Sequence, residues 1–235
     1  MTDLKDRLAL VTGASRGIGA ATAEALARAG AHVILTARTA AGLEEVEERI
    51  HEAGGSATIA PFDLAEGDGI ARLAAAVGER WRKLDHLVLN AATLGSLTPV
   101  ASIDGKEFAQ VLTLNLVAQQ ALIAAFDPLL RASDSGRLIA VTSSVGQKPR
   151  AYWGAYAASK AALETLVLTY ADEVEGISPV RVAIVDPGAT ATRMRGRAFP
   201  GEDQATLKQP EVVGEAIAAL LQGDFTTGHR LVLPR

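Results

Sequence analysis

The chain has 235 residues, a formal net charge of −4 and a pI near 5.6. This acidic balance argues against a general nucleic-acid binder, which presents a basic surface, and the absence of cysteine excludes disulfides and thiolate chemistry. The four histidines are scattered without a metal-ligand pattern, so we predict no metal site.

Short apolar runs alternate with helical patterns along the whole chain. The runs are rich in Val, Ile and Leu and mostly lack two-residue alternation, as expected for parallel strands that are covered on both faces. The alternation favours βαβ units with right-handed crossovers in one doubly wound α/β domain over residues 1–235. We predict strands at Leu8–Val11, His32–Thr36, Ala57–Pro61, His86–Leu89, Leu138–Thr142, Val180–Val185 and Arg230–Leu233, and helices at 17–29, 40–53, 67–81, 105–131, 154–175 and 210–222.

The first strand runs directly into a glycine-rich turn, Thr12–Gly19, with the pattern T-G-x-x-x-G-x-G. Gly13 permits the tight turn, and Gly17 and Gly19 omit Cβ where backbone approaches a diphosphate and where helix packs on sheet. The helix N-terminus would present free N–H groups to the phosphates. Three glycines can also simply form a loop, but their place between the first strand and the first helix favours a dinucleotide.

The end of the second strand predicts which dinucleotide binds. An acid that binds the ribose is expected about 20 residues beyond the glycines, yet Ala37 and Arg38 stand there. Arg16 in the turn adds a second cation. Guanidinium groups bind phosphate through charge-assisted hydrogen bonds, so we predict that NADP(H) is preferred over NAD(H). The alternative is that both arginines merely lie on the surface.

Asp63, just after the third strand, has two compatible interpretations. Its carboxylate could accept a hydrogen bond from the adenine amino group. It could also cap the following helix, because Asp63-Leu-Ala-Glu66 has the spacing of a capping box.

Tyr156 and Lys160 are four residues apart on a predicted helix and therefore share one face. Free tyrosine, with a pKa of about 10, is a poor base at neutral pH, but a nearby ammonium and an oxidised nicotinamide would lower that pKa. Tyr156 could then exchange a proton with a carbonyl oxygen, and Ser143 at the end of a strand could hydrogen-bond the same oxygen. Lys160 could also hold the nicotinamide ribose. The alternative is an ordinary exposed tyrosine and lysine.

With these motifs the chain resembles, over essentially its whole length, the short-chain dehydrogenase/reductase family. The resemblance includes Asn90-Ala91, Asn115 and Pro187-Gly188-x-x-x-Thr192. It implies a Rossmann-type, seven-stranded parallel sheet in the order 3-2-1-4-5-6-7, and a homodimer or homotetramer formed through helices 105–131 and 154–175. The segments 150–160 and 192–200 resemble a bacterial subgroup that is similar to oxoacyl-carrier-protein reductases.

The resemblance also implies individual roles. Asn115 would kink its helix and hold a water in a proton relay to the lysine, and Pro187, Gly188 and Thr192 would lie beside the nicotinamide carboxamide. Ala92 stands where the family usually has glycine, which matters only if that position needs positive φ. The catalytic residues so predicted are Asn115, Ser143, Tyr156 and Lys160. The predicted cofactor-binding residues are Gly13, Ser15, Arg16, Gly17, Ile18, Gly19, Arg38, Asp63, Leu64, Asn90, Ala91, Tyr156, Lys160, Pro187, Gly188 and Thr192.

The least regular stretch, residues 188–209, is predicted to be a substrate-binding insertion. Apolar candidates for the pocket wall could equally be ordinary packing; they are Leu94, Leu97, Trp153, Met194 and Phe199. Cationic residues near the mouth favour a carbonyl substrate with an acidic handle, such as an acyl thioester on an acidic carrier, although they could form only a solvated loop; they are Lys148, Arg150, Arg193, Arg195 and Arg197.

We therefore predict an NADPH-dependent carbonyl reductase or alcohol dehydrogenase. A non-catalytic NADP(H)-binding or sensing protein is an alternative, which the intact Ser, Tyr and Lys set disfavours. A nucleotide-sugar epimerase or dehydratase is another, but the short tail after Gln209 leaves little room for its substrate domain. The N-terminus lacks an apolar signal core, and the uncharged stretch Phe108–Phe126 contains Gln and Asn. We expect a soluble, cytoplasmic protein without nucleic-acid or membrane partners.

Overall fold

Seven strands form one parallel sheet in the order β3-β2-β1-β4-β5-β6-β7, in a computed structural model that describes residues 3–234. The doubly wound topology is confirmed, and each strand lies within one residue of its predicted bounds. The strands are β1 (Leu8–Thr12), β2 (His32–Ala37), β3 (Ser56–Pro61), β4 (His86–Leu89), β5 (Arg137–Val141), β6 (Arg181–Asp186) and β7 (His229–Val232).

The helices between the strands follow the predicted pattern with two additions and one interruption. The short helices α6 and α8 were not predicted, and the predicted helix 105–131 is divided by a π-helical segment, Thr113–Val117. The helices are α1 (Gly17–Arg28), α2 (Ala40–Glu52), α3 (Gly69–Trp81), α4 (Gly105–Leu112), α5 (Ala118–Arg131), α6 (Ser144–Gln147), α7 (Gly154–Val174), α8 (Arg193–Ala198) and α9 (Pro210–Gln222).

The two faces of the sheet bury separate apolar layers. In β1, Leu8 and Leu10 join the layer that contains residues of α3, α5 and α7, whereas Ala9 and Val11 join the layer that contains residues of α1, α2 and α9. Successive residues thus alternate between two dry layers, so the four positions Leu8–Val11 are all apolar. This explains why the sequence lacks the alternation of a half-exposed strand.

α4, the π-helical segment and α5 form one continuous helical stretch from Gly105 to Arg131. Among residues 3–234, this stretch alone is long and apolar enough, by length and composition, to cross a membrane. Leu122, Phe126 and Leu130 on this stretch pack into the core beside the sheet. Its polar residues Asn115 and Gln119 are buried inside the protein. Core helices of globular proteins pass the same compositional test.

The strand order reverses at β1, which lies between β2 and β4. A reversal of this kind opens a crevice at the carboxyl ends of the two diverging strands, where doubly wound folds bind ligands. α1 begins at this crevice and rests on α9, because a Cβ on Gly214 of α9 would lie 2.5 Å from the Ala21 carbonyl oxygen. The helix that faces the crevice is therefore held by direct backbone contact.

Candidate active site

The turn after β1 requires glycine at two positions, one for its backbone conformation and one for lack of space. Gly13 has a φ of +66°, and a Cβ on Gly19 would lie 2.3 Å from the Gly13 carbonyl oxygen. α1 begins at Gly17, and its N-cap residue Arg16 forms no side-chain cap with the described residues. The first N–H groups of α1, which include that of Ile18, therefore suit the phosphates of a dinucleotide.

Thr12 and Asn90 join this turn to the residues that follow β4. Thr12 Oγ1 donates to the Val88 carbonyl at 3.1 Å and accepts from the N–H groups of Asn90 and Ala91 at 3.0 and 3.1 Å. Asn90 Nδ2 donates to the Thr12 carbonyl at 2.8 Å. Ala92 does not have positive φ, so its substitution for glycine is harmless to the backbone.

A cationic corner lies beside the turn, formed by Arg16, Arg38 and the N-terminus of α2. Both arginines are exposed, and neither forms an ion pair within residues 3–234. α2 reaches the turn, because a Cβ on Gly42 would lie 3.1 Å from the Cβ of Ser15. Its N-cap Thr39 makes no side-chain cap, so the α2 N–H groups add to the positive potential.

The capping interpretation of Asp63 is wrong. α3 begins at Gly69 with Asp68 as its N-cap residue. Asp63 Oδ1 instead accepts from the Ala65 N–H at 2.9 Å in a local turn, which is a competing interaction typical of aspartate. The adenine role of Asp63 and its buried neighbour Leu64 stays a prediction.

Tyr156 and Lys160 share a buried face of α7. Tyr156 is 7% exposed and Lys160 is 2% exposed, so neither is the ordinary surface residue of the alternative interpretation. Lys160 Nζ donates to the Val141 carbonyl at 2.8 Å and lies 5.8 Å from the centroid of the Tyr156 ring. The end of β5 and the start of α7 thus meet at the carboxyl edge of the sheet.

Ser143 follows β5 and is the N-cap residue of α6, where its Oγ accepts from the Val145 N–H at 3.5 Å. α6 packs tightly on α7, since a Cβ on Gly146 would lie 3.1 Å from the backbone of Lys160 and Ala161. This close packing brings the Ser143 turn to the face that carries Tyr156 and Lys160.

Burial dominates the electrostatics of the pair. Desolvation, followed by the charge of Asp186, raises the pKa of Tyr156 above its usual value; the lowering predicted with an oxidised nicotinamide bound stays a prediction. Desolvation lowers the pKa of Lys160 to about 8, against the pull of Glu164. A buried phenol is held in its neutral form because the low-dielectric surroundings penalise phenolate. Tyr156 therefore carries its proton at neutral pH, and Lys160 can change its charge near neutral pH.

Asn115 lies in the π-helical segment between α4 and α5 and is fully buried. Its Oδ1 accepts from the Thr93 N–H at 2.8 Å, and its Nδ2 donates to the Thr93 carbonyl at 2.8 Å and to Ser159 Oγ at 3.0 Å. The side chain thus links the loop after β4 to α7. The resemblance implies a kink at Asn115, and the structure has a π-helical segment there; the water relay stays a prediction.

Gln119 is a residue of this site that sequence reasoning did not identify. Its Nε2 donates to the Leu114 carbonyl at 2.9 Å and to the Ala91 carbonyl at 3.2 Å. It therefore satisfies a carbonyl of the π-helical segment and fixes the loop beside Asn90. The available signal was a glutamine four residues after Asn115 in an otherwise apolar stretch.

The segment after β6 lies over the glycine turn. Gly188 has a φ of +65°, and the Thr192 methyl lies 3.5 Å from where a Cβ on Gly17 would be. Thr192 Oγ1 also accepts from the Arg195 N–H at the start of α8. Lys208 Nζ donates to the Pro187 carbonyl at 2.7 Å. The segment predicted to lie beside the carboxamide thus borders the predicted diphosphate site.

The apolar side chains that we predict for a pocket wall pack near the tyrosine, and their contact with a substrate stays a prediction. Leu94, Leu97, Trp153 and Met194 belong to one apolar cluster with Tyr156. Trp153 lies 6.0 Å from the Tyr156 ring and 5.7 Å from the Phe199 ring, between centroids.

The five cationic residues predicted to lie near the substrate site differ in their contacts. Arg195 stacks on Phe199 at 3.8 Å and pairs with Glu202, so it serves the segment itself. The remaining cations are exposed; they are Lys148, Arg150, Arg193 and Arg197.

The glycine turn at the strand reversal, with its uncapped helix, defines a Rossmann-type dinucleotide-binding domain. A model of the short chain dehydrogenase family matches residues 7–203. The uncharacterised oxidoreductase YciK of Escherichia coli K12 is 40% identical over 210 residues, which cover 88% of this chain and 82% of that protein. The chain belongs to the short chain dehydrogenase family, a family of oxidoreductases.

Solved structures agree with this assignment. A short chain dehydrogenase from Pseudomonas syringae matches with a TM-score of 0.95 and 41% identity, over 98% of this chain and 95% of that one. A short chain dehydrogenase from Escherichia coli CFT073, complexed with NADPH, matches with a TM-score of 0.91 and 38% identity over 98% of each chain.

Proposed function

We propose that the protein is an NADP(H)-dependent oxidoreductase that interconverts a carbonyl group and an alcohol, with Tyr156 as general acid and base. The observation that carries the proposal is the buried face of α7, where Tyr156 and Lys160 meet the end of β5 at the crevice. NADPH, when bound, supplies the hydride. The absence of room for a Cβ on Gly19 and the uncapped start of α1 fit the diphosphate of such a cofactor.

In the direction of carbonyl reduction, the neutral Tyr156 hydroxyl donates its proton to the carbonyl oxygen as the carbon is reduced. The Ser143 hydroxyl hydrogen-bonds the same oxygen and stabilises its developing negative charge. The Lys160 ammonium favours the phenolate that Tyr156 becomes, and so lowers the cost of the proton transfer. In the reverse direction the phenolate accepts the proton of the alcohol.

Replacement of the phenol tests this role. Tyr156→Phe should lower the rate of carbonyl reduction by about 10²–10⁴-fold, the usual contribution of a positioned general acid. Tyr152→Phe is the matched control, because Tyr152 is 59% exposed, and it should retain the wild-type rate. The assay follows NADPH oxidation over a panel of aldehydes and ketones. Unchanged turnover in Tyr156→Phe refutes the role, and its NADPH affinity should remain within a fewfold of wild type.

We further propose a preference for NADP(H), which rests on Arg16 and Arg38. Each charge-assisted hydrogen bond to a 2′-phosphate contributes about 1.5–3 kcal/mol, and about 1.4 kcal/mol corresponds to a tenfold ratio. Arg38→Ala should therefore lower kcat/KM for NADPH at least about tenfold and leave that for NADH unchanged. Arg72→Ala, on the exposed face of α3, is the control. Equal wild-type efficiency with both cofactors contradicts the proposal.

For the substrate, we propose an apolar body that packs against the Trp153 and Phe199 cluster, with an acidic handle near Arg150 and Arg193. Arg150 lies 5.0 Å from the Phe199 ring centroid, so the charge adjoins the apolar wall. β-Ketoacyl thioesters and small acidic ketones should be reduced with higher kcat/KM than neutral ketones of equal size. If neutral ketones are reduced equally well, the handle is rejected.

We also propose a homodimer or homotetramer formed through α5 and α7, and a location in the cytoplasm. Two apolar residues support the interface: Val117, which precedes α5, is 57% exposed, and Leu168 of α7 is 37% exposed. Sedimentation should show an oligomer that Leu168→Glu converts to monomer. A wild-type monomer at micromolar concentration contradicts the interface.

A further inference from the structure

Consecutive residues that leave β5 are held by successive turns of α7. Val141 presents its carbonyl to Lys160 Nζ at 2.8 Å. Thr142 donates its hydroxyl to Glu164 Oε1 at 2.6 Å. The next residue is Ser143, the N-cap of α6. Because Lys160 and Glu164 are one helical turn apart, the helix fixes both the ammonium and the backbone that carries the serine.

Glu164 is a buried carboxylate that accepts from three donors outside α7. It is 7% exposed, and besides Thr142 it accepts from Gln147 Nε2 of α6 at 3.2 Å and from Arg230 Nη2 of β7 at 2.8 Å. These donors lower the pKa of Glu164 despite its burial, so it is ionised at neutral pH. A buried charge with three donors has one well-defined position.

We propose that Glu164 and Arg230 form a positioning pair, in which Glu164 fixes the Ser143 turn against α7 and keeps Lys160 charged, while Arg230 moderates that effect. Neither residue touches the reacting atoms. The proposal deepens the proposed function and rests on it, because it assigns Lys160 an adjustable charge within the same site.

The charged groups around Lys160 determine the direction of each effect. Glu164 lies one turn from Lys160 on α7 and pairs with Arg230 of β7, and Asp186 of β6 acts on the neighbouring Tyr156. The turn after β5 and α6 present the uncharged Thr142 and Gln147. Burial lowers the pKa of Lys160 and Glu164 raises it. Loss of the Glu164 charge should therefore favour the neutral amine. Loss of Arg230 should leave the carboxylate less compensated and favour the ammonium.

A titration of Lys160 by carbon-13 NMR tests the proposal without an assay of activity. The protein is labelled at lysine Cε, and the Lys160 resonance is assigned by its absence in Lys160→Met. Glu164→Gln should lower the Lys160 titration midpoint by about one pH unit, the size expected for loss of one nearby charge. Arg230→Met should raise it by roughly half a unit. Both shifts should recur with NADP present, and the alkaline limb of carbonyl reduction should move in the same directions.

Shifts of opposite sign separate this role from a purely structural one. A structural role predicts that both variants lose stability, with no shift or with shifts of the same sign, and either result overturns the proposal. Glu173→Gln, on the exposed face of α7, should leave the midpoint unchanged. If Glu164→Gln does not fold, the upward shift in Arg230→Met decides alone. If wild type reduces no carbonyl, the proposed function fails, while the titration still tests the pair.

Discussion

Stability should fall steeply in mild acid because of His86, a buried histidine far from the crevice. His86 opens β4 and is 2% exposed. Neither of its ring nitrogens has a hydrogen-bond partner among residues 3–234. Burial lowers the pKa of His86 to about 4 from an unfolded value of 6.5, although the neighbouring Asp85 opposes the shift.

The sign follows from which state binds the proton. Below pH 6.5 the unfolded chain protonates His86 while the folded protein still excludes the charge, so stability is lost as pH falls from about 6.5 to about 4 and is constant above. The full gap, at about 1.36 kcal/mol per pH unit, corresponds to roughly 3 kcal/mol. This is a large fraction of the roughly 5–15 kcal/mol that stabilises a typical domain.

Urea unfolding followed by circular dichroism at about pH 7.5 and about pH 5 measures the effect, which should be about 2 kcal/mol in wild type. His86→Leu should be at least as stable as wild type at the higher pH, because two unpaired buried nitrogens are removed. It should lose much less on acidification. The residual loss belongs in part to His32, whose pKa is also lowered by burial.

An equal loss in wild type and His86→Leu refutes the reasoning. The carboxylates with lowered pKa contribute little to the stability difference between about pH 7.5 and about pH 5. Asp85 and Glu164 titrate in the unfolded chain near 3.8 and 4.5, below this pH range.

Three further substitutions test the site and its support. Gly19→Ala should weaken NADPH binding at least about tenfold in a fluorescence titration, since the added Cβ has no space. Gly201→Ala is the control, because nothing lies within 4 Å of its Cβ, and it should bind NADPH as wild type does. Equal NADPH affinities of Gly19→Ala and wild type contradict the need for glycine at this position. Gln119→Leu should cost about 1 kcal/mol in urea unfolding, because it removes the hydrogen bonds to the Leu114 and Ala91 carbonyls while also removing the unpartnered Oε1. An unchanged midpoint contradicts a supporting role for Gln119. Tyr170→Phe should lower the free energy of unfolding by about 1.5–3 kcal/mol, because the hydrogen bond to the Asp127 carboxylate of α5 is lost. Its KM for NADPH should not change, and a raised KM contradicts a purely structural role.

The features that could be predicted from the sequence have local causes. Strands buried on both faces are continuous apolar runs, and the glycine turn needs the absence of Cβ wherever it occurs, so both could be placed within a residue or two. That Tyr156 and Lys160 share one face follows from helical periodicity alone. The short helix α6 could not be predicted, because four residues are stabilised mainly by the Ser143 cap and by contact with α7.

Other features depend on tertiary surroundings that no local pattern encodes. Asp63 matches a capping box, yet its carboxylate forms a turn with Ala65 and the helix starts later. The burial of Tyr156, which raises its pKa in the protein alone, depends on packing that the four-residue spacing to Lys160 does not encode. The role of Gln119 could not be predicted, because the Leu114 and Ala91 carbonyls to which it donates come together only in the folded protein.

The segment between β6 and α9 is closed at its base. Thr190 pairs with Lys208 in an isolated parallel bridge, and the Ala191 N–H donates to the Lys208 carbonyl at 2.8 Å. Because the two ends are already side by side, the intervening residues can change in length and composition at little entropic cost. Such an architecture lets evolution, or an engineer, exchange the segment as a cassette and retune substrate choice while the redox scaffold is inherited intact.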